Sequence, residues 1–292
     1  MANRLDHSVG VVRADGHARV QIGDSNNHTV VNNYPAANPN IADSHLAETY
    51  NGRVRSNFLR RLQTSPYEVR KNRNPKRVDG TCEWFNTHKL FLNWRKQASA
   101  LLWVSADPGC GKSVLARCLV DDFLPSSAIR TTCYFFFKDD FDDQKRLESA
   151  LCCVLHQLFV QRPALLLDKI LDEVEEEGEQ LYASFDTLWR ILLKAASYHS
   201  GGEIVCIIDA LDECVDQRPL AAALTQLYSR SNGVSTLKFL VTSRPYLAIG
   251  REFQGLKDSQ PTIHLSGESP EEVDKIAREI KHFDPATYGT IR

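Results

Sequence analysis

The 292-residue sequence has no run approaching about 18 uncharged apolar residues, so no segment of it reads as a membrane-spanning helix. The opening Met1-Ala2-Asn3-Arg4-Leu5-Asp6-His7 has no apolar core, which excludes a secretory signal there. Charge of one sign is also missing. Lys and Arg number 35 against 37 Asp and Glu, a net charge of −2, and nothing draws the whole chain to nucleic acid or to an anionic membrane. Neither partner is expected. Eight Cys are present (Cys82, Cys110, Cys118, Cys133, Cys152, Cys153, Cys206 and Cys214), yet none forms C-x-x-C, so zinc lacks its usual paired ligands. Most lie in apolar runs and read as buried free thiols of a reducing compartment, here the cytoplasm. The nine His contain no H-E-x-x-H, and no internal repeat occurs. What is present, 42% apolar and 25% charged residues, is ordinary globular composition and excludes wholesale disorder, collagen-like sequence and coiled coil.

The first 45 residues stand apart. They are rich in Asn and carry no long apolar run, so alone they bury too little surface to offset chain entropy and read as a disordered leader. Within it, Val20 and Ile22 alternate with polar residues before the turn signal Gly23-Asp24, and a second β-prone stretch follows at His28-Thr29-Val30-Val31. Two short strands of this kind suit stacking between chains. From Arg53 to Arg77 the chain is basic, with a short helix expected around Phe58, Leu59 and Leu62, and reads as a linker lying on an acidic domain surface. Residues 46–97 form this linker and a pre-core helical segment in which Trp84 and Phe85 either abut a bound base or join the core.

From Ala98 strands and helices alternate. Apolar strands are expected at Leu101–Ser105, Thr131–Phe137, Ile204–Ile208, Leu237–Thr242 and Pro261–Leu265, with helices at Ser113–Phe123, Leu147–Val160, Phe185–Ala196 and Leu220–Tyr228. Continuous apolar strands between helices predict a mainly parallel sheet covered on both faces. Asp172 to Glu179 reads as a solvated acidic face. Ser269-Pro270-Glu271-Glu272 supplies a capping box for a last helix in 269–292.

Three elements carry chemistry. Ala106-Asp107-Pro108-Gly109-Cys110-Gly111-Lys112-Ser113 fits [AG]-x4-G-K-[ST] between a strand and a helix. Gly109 and Gly111 let backbone N–H groups approach a phosphate. Lys112 is placed to reach the outer phosphates, and Ser113 to ligate Mg²⁺. Second, Glu203 to Ile208 is an apolar strand ending in Asp209, followed by Asp212 and Glu213. Asp209 is placed to hold Mg²⁺, and Asp212 or Glu213 to orient or deprotonate water. Third, Phe239-Leu240-Val241-Thr242-Ser243-Arg244-Pro245 ends a further strand at the same sheet edge, where Arg244 can sense a terminal phosphate.

In this order and spacing the three elements resemble the NACHT class of STAND signalling NTPases, in the large fungal group similar to the N-terminal domain of nephrocystin-like proteins. Arg60-Arg61-Leu62 and Gly80-Thr81-Cys82-Glu83-Trp84-Phe85 resemble the segment before the phosphate loop in that group. The resemblance covers about residues 56–268. It implies an α/β fold, a P-loop three-layer α/β/α sandwich with core at 98–268. It also implies a nucleotide switch taking ATP, or GTP, with Mg²⁺, and slow hydrolysis that resets it in self/non-self or immune-like signalling. Ala106 through Ser113 and Val114 would then contact the nucleotide, Ser113 and Asp209 the metal, with Asp212, Glu213 and Arg244 catalytic. Residues 18–33 resemble the HET-s-type amyloid signalling motif, with Asp24 where the motif usually has Asn. They imply self-assembly or templating of a partner protein. The family core normally runs on into a winged helix and repeats, for which 292 residues leave no room, so a truncated chain is expected. Two other functions share the motifs: a non-hydrolysing interaction module from a truncated paralogue, and a P-loop metabolic enzyme such as a small-molecule kinase.

Overall fold

The computed structural model describes residues 11–14, 17–20, 39–198, 202–229, 236–245 and 262–265. The chain divides into two units, Met1–Arg53 and Val54–Arg292. In the first, β1 (Val11–Ala14) and β2 (His17–Val20) pair antiparallel, with Val11 opposite Val20 and Ala14 opposite His17. Only two residues separate Ala14 from His17, the shortest loop a hairpin uses. Residues 21–38, with most of the amyloid-like segment, lie outside the described residues. So does the helix expected after Ser269. Helix α1 (Pro39–Leu62) begins inside the segment assigned to the leader and is far longer than the short helix expected around Phe58.

In the second unit, Phe58 and Leu62 on the last turns of α1 are buried. Next come α2 (Tyr67–Arg73), α3 (Glu83–Asn86) and α4 (Lys89–Lys96). All seven residues of β3 (Ala100–Ala106) are buried, as the unbroken apolar run requires. After it come α5 (Lys112–Cys118), which continues into a π-helical turn at Leu119–Phe123, and β4 (Arg130–Phe136). Three helices, α6 (Leu147–Gln161), α7 (Asp168–Glu177) and α8 (Phe185–Ala196), separate β4 from β5 (Glu203–Asp209). Finally α9 (Arg218–Ser229) leads to β6 (Leu237–Ser243), and β7 (Thr262–Leu265) is the last described strand.

The five strands form one parallel sheet in the order β4-β5-β6-β3-β7. Side chains alternate between two apolar clusters. Leu101, Trp103, Cys133, Phe135, Cys206, Ile208, Phe239 and Val241 pack with α6, α7, α8 and α9. Leu102, Val104, Phe136, Val205, Ile207 and Leu240 pack with α3, α4 and α5. Two covered faces give the three-layer α/β/α sandwich that the alternation of elements predicts. Because β6 inserts between β3 and β5, the loop after β3 and the acids after β5 flank the end of β6. That is the reversal of strand order at which such sheets bind ligands.

The outer edge of β4 is closed by side chains. Gln157 Oε1 accepts from Tyr134 N at 3.1 Å, and its Nε2 donates to Tyr134 O at 2.8 Å. Gln144 Nε2 donates to Phe136 O at 2.6 Å, and Gln161 Nε2 to Thr132 O at 3.1 Å. The backbone groups that invite a foreign strand are thereby occupied.

The basic segment lies on acids of the core. Arg70 pairs with Asp143 at 2.8 Å, Lys71 with Asp121, and Arg77 with Asp122 at 2.8 Å and Glu83 at 2.6 Å. Burial opposes ionisation of Asp121, but Lys71 and Arg117 outweigh it and hold its carboxyl below the ordinary range. Trp84 and Phe85 are core residues: Phe85 packs on Phe91, which stacks on Trp94. The acidic helix α7 is not solvated throughout. Glu173 is buried and paired with Arg190 and Lys194 of α8.

Candidate functional site

The phosphate-type loop connects β3 to α5. Ala106 is buried at the strand end, Asp107 is half-buried, and Pro108, Gly109, Cys110 and Gly111 form an exposed crest. Gly109 (φ 82°) and Gly111 (φ 76°) both adopt the left-handed region, where a side chain would be strained. The Cys110 N–H donates to Asp107 O at 3.3 Å, and the Cys110 thiol is exposed and free. Lys112, Ser113 and Val114 open α5, half-buried. Lys112 Nζ donates to Ala106 O at 2.7 Å and Asp107 O at 3.0 Å, so the ammonium closes the loop on itself.

Asp209 ends β5 with 1% of its surface exposed. Burial pushes its carboxyl up to about 6. Thr242 and Ser113 hydroxyls and the charge of Lys112 act the other way, while Glu213 adds to the rise. Thr242 Oγ1 donates to Asp209 Oδ1 at 2.7 Å and accepts from Ala210 N at 2.9 Å. Ser113 on the loop helix therefore lies near enough to Asp209 to favour its ionised form, although β6 separates their strands.

After Asp209 the chain turns sharply. Ala210 is left-handed (φ 54°), uncommon for a residue with a Cβ, and Leu211–Glu213 form a single 3₁₀ turn. Asp212 Oδ1 accepts from Arg244 N at 2.9 Å, and its Oδ2 lies 3.1 Å from Arg244 Nε. Glu213 Oε2 accepts from Lys138 Nζ at 3.0 Å and from Asp139 N at 3.4 Å. The Glu213 partnership raises the Lys138 ammonium above its ordinary value, against the cost of its partial burial.

The sheet thus gathers Ala106–Val114, Asp209, Asp212, Glu213 and Arg244 at the carboxyl ends of three adjacent strands. It separates the two acids of the turn, giving Asp212 to β6 and Glu213 to the chain after β4. Two contributors lie outside the motif residues named for the site, Thr242 and Lys138. Thr242 was visible as the one hydroxyl before Ser243-Arg244 in an apolar strand. Nothing local marks Lys138.

The arrangement fits an anion beside a divalent cation. The loop offers glycine-permitted backbone and one ammonium, and the cation side offers one buried carboxylate with a hydroxyl. Among the described residues no three or more His, Cys, Asp or Glu are grouped so that they could hold a metal ion by themselves. That donor set suits Mg²⁺, which takes one or two protein ligands and completes its shell with water and phosphate oxygens.

Residues 80–244 match the family described as nephrocystin 3, N-terminal. Over 230 residues the chain is 25% identical to the vegetative incompatibility protein HET-E-1 of Podospora anserina, covering 73% of this chain and 16% of that protein. Among solved structures it is similar to the Aeropyrum pernix ORC2 protein in its ADPNP–ADP complexes, with a TM-score of 0.42 and 15% identity over 72% of this chain and 53% of that one. It is also similar to Cdc6p from Pyrobaculum aerophilum, with a TM-score of 0.43 and 13% identity over 70% and 50% of the two chains. The chain therefore spans 16% of the curated relative and about half of each solved structure.

Proposed function

This chain belongs to the nephrocystin-type N-terminal family of NACHT-type P-loop NTPase domains, and on that premise we propose that it is a nucleotide-dependent switch that takes ATP, with GTP second, together with Mg²⁺. The observation that carries the reading is that the loop after β3 and the buried Asp209 ending β5 flank β6 at the carboxyl ends of adjacent strands, with Asp209 anchored by Thr242 of β6. Ala106 through Val114 form the cradle. Lys112 exchanges two carbonyl partners for anionic oxygens, the stronger acceptors. Ser113 and Asp209 would hold Mg²⁺, which when bound offsets the charge of the phosphates. Glu213 is the acid that orients water. Its carboxylate is engaged by Lys138 and the Asp139 N–H, which it must share with a water, in keeping with slow hydrolysis that resets a switch. Arg244 reads the terminal phosphate.

The matched relative is named for vegetative incompatibility, and we extend to this chain a part in self/non-self signalling in the cytoplasm, with a protein partner met through residues 18–33. The eight free thiols suit a reducing compartment. A peptide of residues 8–40 should form thioflavin-positive fibrils; a peptide that stays monomeric when seeded removes the templating role. For the switch itself, titration with a fluorescent nucleotide analogue is decisive. Lys112→Ala should weaken binding by about 10- to 100-fold, the worth of a charge-assisted hydrogen bond. Asp209→Ala should abolish the Mg²⁺ dependence. Undiminished affinity in Lys112→Ala would sink the site assignment.

A further inference from the structure

Asp212 and Glu213 are neighbours in one turn, and either is chemically able to act on water. Their surroundings separate them. Only 3% of the Asp212 side chain is exposed, and both of its oxygens are committed to a single residue, Oδ1 to the Arg244 N–H at 2.9 Å and Oδ2 to Arg244 Nε at 3.1 Å. Glu213 is bound instead by Lys138 and Asp139, on the opposite neighbour of β5. Arg244 directly follows Ser243, which lies opposite Ser105 in β3, one residue before the loop begins at Ala106. Its carbonyl accepts from Ser243 Oγ at 3.0 Å, and that hydroxyl accepts from Trp103 Nε1 at 2.9 Å. The Arg244 backbone is therefore fixed on its N–H side by Asp212 and on its carbonyl side by the Trp103–Ser243 pair.

We propose that Asp212 is a positioning residue: it holds Arg244 at the edge of the phosphate loop, so that the pair discriminates nucleoside triphosphates from diphosphates. The proposal rests on the nucleotide site assigned above. Two physical effects point the same way. An untethered arginine loses substantial rotamer freedom when it engages an anion. A guanidinium already held at Nε has lost much of that freedom on folding, so less is lost on binding. Arg244 also neutralises a carboxylate that, unpaired, would repel the incoming phosphate.

The test uses the full chain with Mg²⁺ and equilibrium titrations of a non-hydrolysable triphosphate analogue and of the diphosphate. Asp212→Asn keeps the shape and one acceptor for the Arg244 N–H but removes the charge. It should lower the triphosphate-to-diphosphate affinity ratio about tenfold, the order of one charge-assisted hydrogen bond, mainly through the triphosphate. Arg244→Ala should lower the ratio at least as far, and adding Asp212→Asn to it should change the ratio no further. An unchanged or raised ratio in Asp212→Asn overturns the proposal. So does a further tenfold loss in the Arg244→Ala background, which would mean that Asp212 acts by itself. Should Asp212→Asn fail to fold, Arg244→Lys serves, because an ammonium cannot keep the Nε contact and present a second donor face. The same fall is expected there, and an unchanged ratio overturns the proposal. Failure of the site assignment is recognised separately, as Lys112→Ala leaving both affinities intact.

Discussion

Thr242 holds Asp209 and the peptide that follows it with one hydroxyl, which donates to Asp209 Oδ1 at 2.7 Å and accepts from Ala210 N at 2.9 Å. Two buried groups and a left-handed alanine depend on that oxygen. Thr242→Val is isosteric but leaves both groups unsatisfied, at a cost of about 2–4 kcal/mol. Thr242→Ser keeps the hydroxyl and should lose far less. Urea denaturation separates them; equal losses in both variants would show that the methyl group, not the hydroxyl, matters.

Asp209 makes the apo-protein pH-sensitive in a direction opposite to most carboxylates. Burial raises its pKa from an ordinary 3.8 to about 6. Between those values the native state keeps a proton that the unfolded chain has released, so the Asp209 contribution to stability falls as pH rises through this window. Above about pH 6 the burial penalty is complete, on the order of 3 kcal/mol. With chelator present and no nucleotide, Asp209→Asn should therefore be more stable than the parent chain at pH 7, and the gap should close near pH 4. A pH series of thermal melts on both proteins checks this. A gap that widens on acidification would reverse the sign.

The sheet was legible because strands buried on both faces leave an unbroken apolar run, and the loop because its glycines mark positions with φ above zero. Ala100–Ala106 and Glu203–Asp209 are of this kind. What could not be read depends on neighbours distant in sequence. Trp84 and Phe85 suit a base or a core equally in sequence; in the fold Trp84 packs on Phe85, and Phe85 on Phe91, which stacks on Trp94. Asp212 and Glu213 look equivalent in sequence and differ only because β6 lies on one side of β5 and β4 on the other.

Lys238 is the hardest residue to anticipate, a lysine in the middle of the sheet with 2% exposure. Its Nζ donates to Glu203 Oε1 at 2.6 Å and to Arg95 O at 2.7 Å, and lies 5.4 Å from the centroid of the Trp94 ring. Burial opposes ionisation of Glu203, but hydrogen bonds from Lys238 and Arg130 prevail and hold its carboxyl below the ordinary 4.5. Glu203→Gln strands a buried ammonium and should cost about 3 kcal/mol. Lys238→Met should cost less, because Arg130 still pairs with Glu203 at 2.6 Å. A lowered carboxylate stabilises above its unfolded pKa and loses that contribution as pH falls through the folded value. The Glu203→Gln deficit measured in urea at pH 7 should therefore shrink at pH 3. A constant deficit would assign the effect to packing.

Gln157 substitutes for a missing strand. Its amide meets both Tyr134 N and Tyr134 O on the open side of β4, and it also donates to Cys153 O at 3.0 Å. Gln157→Leu preserves bulk while leaving the Tyr134 backbone groups without these bonds. The expected loss is about 2–3 kcal/mol. The edge would also become open to pairing between copies. On heating, the variant should scatter light at a lower temperature than Gln161→Leu, which removes one of two side-chain donors to Thr132 O and leaves that of Ser126. The comparison isolates edge protection from simple destabilisation if the two are matched for unfolding free energy in urea. Equal scattering onset at matched stability would leave Gln157 as an ordinary buried hydrogen-bonding residue.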